Sequence, residues 1–216
     1  MNILVVGASR GSGAAVVEAL VAEGHRVTAF ARTASSAGYG EEVVTVDGDV
    51  LDRDDLGKAM VGQDAVVVTL GISDNPVRVQ YLRRASTALD IRSQGTRRVV
   101  EAMREAGIRR LAVQSTYGLG GGRRSLNLQW KLVFALLLRP QIRDTAVQEQ
   151  LVRESGLDWT LVRPVALTDE ETSAPAHVDT DDRRLGMHVA RGQVARVFAA
   201  AVPDPATIGQ TLSVSS

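Results

Sequence analysis

LVVGASRGSGAAVVEAL, residues 4–20, decides the fold, because an apolar run passes through three glycines straight into a helical pattern. Upstream, "NILVV" is short, continuous and β-branched near its end, which reads as a buried strand. Downstream of Gly13, the residues Ala14, Val17, Ala19, Leu20 and Val21 recur at helical spacing, and Gly24 follows as a stop. The order is therefore strand, glycine turn, helix. Such a turn aims free main-chain N–H groups and the positive end of a helix dipole at one spot, which suits a pyrophosphate. Side chains at Gly7, Gly11 or Gly13 would block the tight turn, the approach of the phosphate, or the packing of helix on strand. The spacing, G-x-x-x-G-x-G, differs from the general G-x-G-x-x-G fingerprint, so the surrounding pattern has to carry the reading.

That pattern repeats. "HRVTAFAR" reads as a second strand ending near Arg32, "EVVTVDGDV" as a third ending at Asp47 to Asp49, and "LDRDDLGKAM" as a short helix. "DAVVVTLG" is a fourth strand whose unbroken valines predict burial on both faces. A helical pattern runs from about Tyr81 to Ala106 and stops at Gly107, followed by the strand "RRLAVQST". Another runs from about Leu126 to Glu154, broken near Pro140, before the strand "LDWTLVRP". "RGQVARVFAAAV" is helical, and "GQTLSVSS" is expected as a terminal strand at a sheet edge. Alternation of this kind predicts an α/β three-layer Rossmann fold, a doubly wound, mainly parallel sheet flanked by helices, in one domain over residues 1–216. Ligands in such sheets sit beyond the carboxyl ends of the strands. The surface to read is therefore Gly7 to Gly13, Arg32, Asp49, Gly71, Ser115 to Tyr117, and Arg163 to Val165.

Composition excludes several classes. The chain has 216 residues, 44% hydrophobic and 23% charged, with a formal net charge of zero. Its basic residues are balanced by acids and no reading helix or aromatic platform stands out, so nucleic acid is not an expected partner. There is no cysteine, hence no disulfide framework and no thiolate chemistry, and the first strand leaves no room for a signal peptide, so a cytoplasmic location is expected. The longest apolar run, "LVFALLL" at 132–138, is far short of the roughly 20 residues of a membrane span and reads as a buried helix face. His177 and His188 are too poorly accompanied to argue for a metal, and the acids near them lack calcium-loop spacing.

An NAD site normally carries an acid at the end of the second strand to bind the ribose hydroxyls. Here "AFARTASS" offers Arg32 instead, whose planar fork of donors suits the extra 2′-phosphate of NADP, with Arg10 as a second cation. NADP(H) is the expected cofactor. "GASRGSG", Arg32, "GDV", "QSTYG" and "LVRESGLDWTLVRP" together resemble the short-chain dehydrogenase/reductase superfamily. Within it they are most similar to the atypical NAD(P)H-binding branch that includes flavin reductase/biliverdin reductase B and the NmrA-like proteins. The resemblance implies that Gly7, Ser9, Arg10, Gly11, Ser12, Gly13, Arg32 and Asp49 hold NADP, with Asp49 and Val50 beside the adenine. It also implies that Gly71, Ser115 and Pro164 lie near the nicotinamide end.

The superfamily's catalytic branch pairs a Tyr with a Lys four residues on, the Lys lowering the Tyr pKa so that it protonates a carbonyl as hydride arrives. This chain departs from that pattern. Its only lysines are Lys58 and Lys131; Asn127 stands four residues before the latter, and Tyr117 fourteen. An isoalloxazine, quinone or tetrapyrrole removes the difficulty, since conjugation spreads the incoming charge and the protein chiefly has to position the rings. Ser115 is the leading candidate for a hydrogen-bonding group at the transfer point, and Tyr117 the second. The expected activity is NADPH-dependent reduction of a conjugated planar small molecule, flavin being the most economical choice, by a monomer or homodimer. The alternatives are a non-catalytic NADP(H)-sensing protein of NmrA-like type and a biosynthetic carbonyl reductase using Tyr117. Two substrate-side loops are expected, about 117–125, with Arg123 and Arg124 available for anionic groups, and 165–190, whose acidic stretch 168–182 reads as a flap or, by a small margin, a solvated loop.

Overall fold

In the computed structural model, residues 1–71, 90–119 and 139–216 are described. The strands and helices alternate: β1 Asn2–Val6, α1 Gly11–Ala22, β2 Arg26–Ala31, β3 Val43–Asp47, α2 Arg53–Met60, β4 Ala65–Val68, α3 Ile91–Ala106 and β5 Arg110–Gln114. Then follow α4 Arg139–Arg153, β6 Asp158–Pro164, β7 Ala166–Thr168, β8 His177–Asp179, β9 His188–Ala190, α5 Arg191–Ala201 and β10 Gln210–Ser215. Eight strands form one sheet in the order β3-β2-β1-β4-β5-β6-β10-β8, parallel except for β8. This is the doubly wound α/β architecture the alternation predicts, with its switch in strand order at β1.

Alternation along β1 assigns the two cores. Ile3 and Val5 face one layer with Val16, Val17 and Leu20 of α1 and Val194 and Phe198 of α5. Leu4 and Val6 face the other with Leu56 and Met60 of α2, Val99 and Met103 of α3, and Val152 of α4. Period-two side-chain alternation makes both faces apolar, so the strands read as unbroken hydrophobic runs. Helix α2 starts where Asp52 accepts the N–H groups of Asp54 and Asp55, and α3 ends at Gly107 in the left-handed region with φ +72°.

Three expectations need correction. Helix α1 begins at Gly11, so the last two glycines lie in its first turn. The terminal strand β10 is interior, between β6 and the antiparallel β8, because the acidic stretch supplies an edge strand of its own. Within that stretch, residues 177–179 are therefore part of the sheet, while 169–176 form a largely exposed loop. The described part of α4 begins at Arg139, so the break expected near Pro140 falls at the limit of the described residues. The helical pattern expected before residue 90, the glycines and arginines of 120–124, Asn127, Lys131 and the apolar run 132–138 all lie outside the described residues.

A buried ionic network ties the acidic stretch down. Arg163 on β6 donates to both oxygens of Glu149 on α4, at 2.8 and 2.6 Å, and to both oxygens of Asp182, at 3.1 Å. Burial lowers the Arg163 pKa, but hydrogen bonds and charge from Glu149 and Asp182 outweigh it and hold the guanidinium above its ordinary value. Asp182 also accepts the Ser213 hydroxyl at 2.6 Å, while its main-chain carbonyl accepts the Tyr117 hydroxyl at 2.9 Å. It adopts φ +61°, alone among the described non-glycine residues in having a positive φ. Asp tolerates that region better than most residues, and four bonds hold it there.

Removing the cation strips Asp182 of this ion pair and leaves the enclosed Glu149 only the longer 3.5 Å contact to Arg153. Arg163→Met is expected to cost about 3–5 kcal/mol in a denaturant titration, and limited proteolysis is expected to cut first within 168–190. A change below about 1 kcal/mol would show that the network is solvated in the folded protein.

Candidate functional site

Register brings the strand ends level: Val6 pairs with Phe30 of β2 and with Val68 of β4. Gly7 then turns the chain off the sheet with φ +91°, its N–H donating to the Phe30 carbonyl at 2.9 Å. A β-carbon on Gly13 would stand 2.2 Å from the Gly7 carbonyl oxygen and 2.8 Å from the Thr69 Oγ1, so only a bare α-carbon lets α1 sit this close. Arg10 occupies the N-cap position in extended conformation, and neither it nor any acidic side chain in the first turn caps α1. The first-turn N–H groups are orphans that an external anion can satisfy. Tyr39 clamps the loop from outside by donating its hydroxyl to the Ala8 carbonyl. Burial, with a further push from Glu18, raises that phenol to about 12.

A cavity of about 930 Å³ runs along the carboxyl ends of the strands, within the usual range for small-molecule sites. Its lining includes Arg32, Ser36, Asp49 and Val50, the turn Ser9 to Ser12, and Thr69, Gly71, Arg92 and Gln114. Arg32 and Arg10 are exposed, as cations meeting a solvent-facing phosphate should be. Gly48 is required beside the Phe30 ring, which a β-carbon there would approach to 2.7 Å. The Ser35 hydroxyl and N–H both donate to Asp47, at 2.5 and 2.9 Å, and hold its carboxyl below the usual range. That bond braces the loop following Arg32. Arg191 enters from the first turn of α5, paired with Asp169, its Nε 3.7 Å from where a Gly11 β-carbon would be.

The cavity thus gathers Gly7, Ser9, Arg10, Gly11, Ser12, Arg32, Asp49, Val50 and Gly71 from the residues singled out in the sequence. Gly13 lies beneath it as packing. Ser115, Tyr117 and Pro164 lie off the lining and are buried. The Ser115 hydroxyl donates to Glu149 at 2.5 Å and the Pro164 carbonyl accepts the Tyr117 N–H at 2.9 Å. Thr69, Arg92, Gln114 and Arg191 line the cavity without having been singled out. Thr69 and Gln114 are findable as residues flanking the ends of β4 and β5. Arg92 and Arg191 carry no local signal, because tertiary packing alone brings those helix starts to the cleft.

The residues fit a dinucleotide: an uncapped helix start over a long groove, cradled by α-carbons without side chains, with cations at the end where a 2′-phosphate would lie. Among the described residues no three His, Cys, Asp or Glu side chains gather as a metal site, and no helix is long and apolar enough to cross a membrane.

Comparison with known proteins agrees with this fit. The family described as NAD(P)H-binding matches residues 7–205. A 3-diazoavenalumate denitrifying reductase from a Streptomyces species is 37% identical over 116 residues, covering 53% of this chain and 38% of the relative. The chain spans between 30% and 52% of the length of three such curated relatives. Among solved structures, a Rossmann-fold NAD(P)-binding family protein from Shigella flexneri superposes with a TM-score of 0.70 at 25% identity, covering 99% of this chain and 92% of that one. The anaerobilin reductase ChuY of Escherichia coli O157:H7 superposes with a TM-score of 0.76 at 23% identity, over 100% and 97% of the two chains, a likeness of fold.

Gly13→Ala is expected to lower stability by about 1–3 kcal/mol through overpacking against main chain and to abolish cofactor binding in calorimetry. Gly57→Ala in α2, where an added β-carbon meets nothing within 4 Å, is the control. It is expected to raise stability by about 0.5–1 kcal/mol, the helix-propensity gain.

Proposed function

We propose that the chain, which belongs to the NAD(P)H-binding family, is an atypical short-chain dehydrogenase/reductase-like protein that acts as an NADPH-dependent reductase of a conjugated, planar small molecule. The observation that carries this reading is the cleft itself: an uncapped α1 start, Arg32 on the same lining and, among the described residues, no tyrosine hydroxyl on it. Bound NADPH supplies a hydride. The chain's own residues do the rest by placement. The first-turn N–H groups of α1 bind the pyrophosphate, Arg32 and Arg10 meet the 2′-phosphate, and Asp49 and Val50 border the adenine. Thr69, whose hydroxyl donates to the Val6 carbonyl at 3.0 Å, fixes the turn from β4 into the cleft. Positioning of this kind can contribute up to roughly 7–11 kcal/mol to a barrier reduction.

The hydroxyls of Ser115 and Tyr117 are turned toward protein partners, which favours an acceptor that needs no strong acid at the reacting atom. Flavin is the most economical member of that class, and the curated relative named as a reductase supports reduction as the reaction type. The same two commitments support a second reading, a protein that binds NADP(H) and senses it without turnover.

A panel of flavins, quinones and carbonyl compounds, followed by loss of NADPH absorbance with NADH as the paired control, separates these readings. Turnover of flavins or quinones with NADPH is expected; tight NADP binding with no turnover of any compound would establish the sensor. Ser115→Ala and Tyr117→Phe are expected to retain turnover within about tenfold, the scale of one neutral hydrogen bond. Loss of all activity in Tyr117→Phe with NADPH binding intact would instead make that phenol the acid of a carbonyl reductase. Arg32→Glu is expected to weaken NADPH by about 10–100-fold, a loss of charge-assisted hydrogen bonds, and to leave NADH unaffected or improved.

A further inference from the structure

Helix α5 packs beside α1 in one layer, and Arg191, its first residue, lines the same cavity as Ser9, Arg10, Gly11 and Ser12. Its Nε stands 3.7 Å from where a Gly11 β-carbon would be, so the guanidinium lies against the first residue of α1. The two edges of this guanidinium are used differently. Nη1 donates to Asp169, while Nε and Nη2 have no hydrogen-bond partner among the described residues.

Asp169 is itself placed by α5. Arg196 Nη2 donates to the carbonyls of Thr172 and Ala174, at 3.0 and 2.9 Å, and Gln193 Nε2 to those of Ala174 and Pro175, at 3.2 and 3.3 Å. Gln193 is buried, and its Oε1 accepts the Ala190 N–H at 3.0 Å, so this anchor is fixed at both ends. Both partners of the ion pair therefore depend on one helix. The Asp169 side chain is 88% exposed, and an ion pair that open to water adds little stability. What it sets is orientation, since holding Nη1 turns the unused Nε–Nη2 edge to the start of α1. That edge is a planar pair of parallel donors, which matches two oxygens of a phosphate. The first turn of α1 carries no acid to occupy it.

We propose that Arg191 binds the cofactor's pyrophosphate together with the N–H groups of α1, and that Asp169 is a positioning residue that holds the guanidinium for this task. The segment following β7 is thereby tied to cofactor binding. This rests on the cofactor reading above and not on the identity of the acceptor.

Calorimetry with two probes tests it: NADP⁺, and adenosine 2′-monophosphate, which keeps the adenine and the 2′-phosphate but lacks the pyrophosphate. Arg191→Gln is expected to weaken NADP⁺ by about 10–100-fold, the range of charge-assisted hydrogen bonds, and to leave adenosine 2′-monophosphate unchanged, whereas Arg32→Glu weakens both. Arg191→Lys is expected to recover part of the loss, since a point charge replaces a planar fork. Asp169→Ala, at a side chain too exposed to threaten folding, is expected to weaken NADP⁺ by about 1.5–5-fold, the scale of an exposed ion pair. In an Arg191→Gln background the same change is expected to add nothing. A merely structural role for Arg191 would weaken both probes together, and that result overturns the proposal. Equal NADP⁺ affinity in the wild type and Arg191→Gln overturns it too, while leaving the cofactor reading intact. Tighter NADP⁺ binding by Asp169→Ala, or the same loss in both backgrounds, overturns the positioning role. If the wild type binds neither probe, the cofactor reading itself fails and the proposal falls with it.

Discussion

Helix α1 can approach β1 only because residue 13 has no side chain: any β-carbon there would lie 2.2 Å from the Gly7 carbonyl oxygen. That contact sets where the first turn of α1 ends up, and with it the direction in which the unsatisfied N–H groups point. Thr69 participates on the same side, since its Oγ1 would be 2.8 Å from that β-carbon while donating to the Val6 carbonyl. The end of β4 is thereby locked to the end of β1 at the point where strand order reverses. The groove opens at that reversal because helices following the two strands pack on opposite faces of the sheet. A backbone-level constraint of this kind is stricter than a core packing requirement, since a carbonyl cannot be repacked as a leucine can.

The local code for the parallel sheet was legible because its strands are buried on both faces and its turns carry glycine. "AVVV" could be read as β4 from four residues, and the lack of an acid after β2 pointed to Arg32 at the cofactor end. What escaped was non-local. Nothing near "HVD" distinguishes a three-residue edge strand from a loop; β8 exists because the free edge of β10 offers it unpaired main-chain groups, and because Arg163 anchors Asp182 nearby. The edge position expected for β10 failed for the same reason. Ser115 illustrates the other limit. A hydroxyl at a strand end can face the cleft or the protein, and the choice is made by Glu149, thirty-four residues later on α4.

The two ionic arrangements around α4 contrast usefully. Glu149 sits in a network in which each charge has partners: Arg163, Ser115 and, at 3.5 Å, Arg153. Asp144, five residues earlier, spends its oxygens on the start of α3, and among the described residues the adjoining Arg92 Nε has no partner. One helix thus carries a completed structural pair on the β6 side and an incomplete one on the cleft side. Completed pairs in low dielectric contribute little net stability but are costly to break.

Packing of α1, near residue 20, on α5, near residue 195, joins segments about 175 positions apart through Val17, Leu20, Val194 and Phe198. Arg191 reaches the glycine turn only when this contact forms. Loop closure over so long a separation is slow, so one layer of the protein must wait for the other end of the chain while the opposite layer assembles from neighbours in sequence. On a ribosome, the binding groove would not acquire its full shape until α5 has emerged, well after most of the sheet.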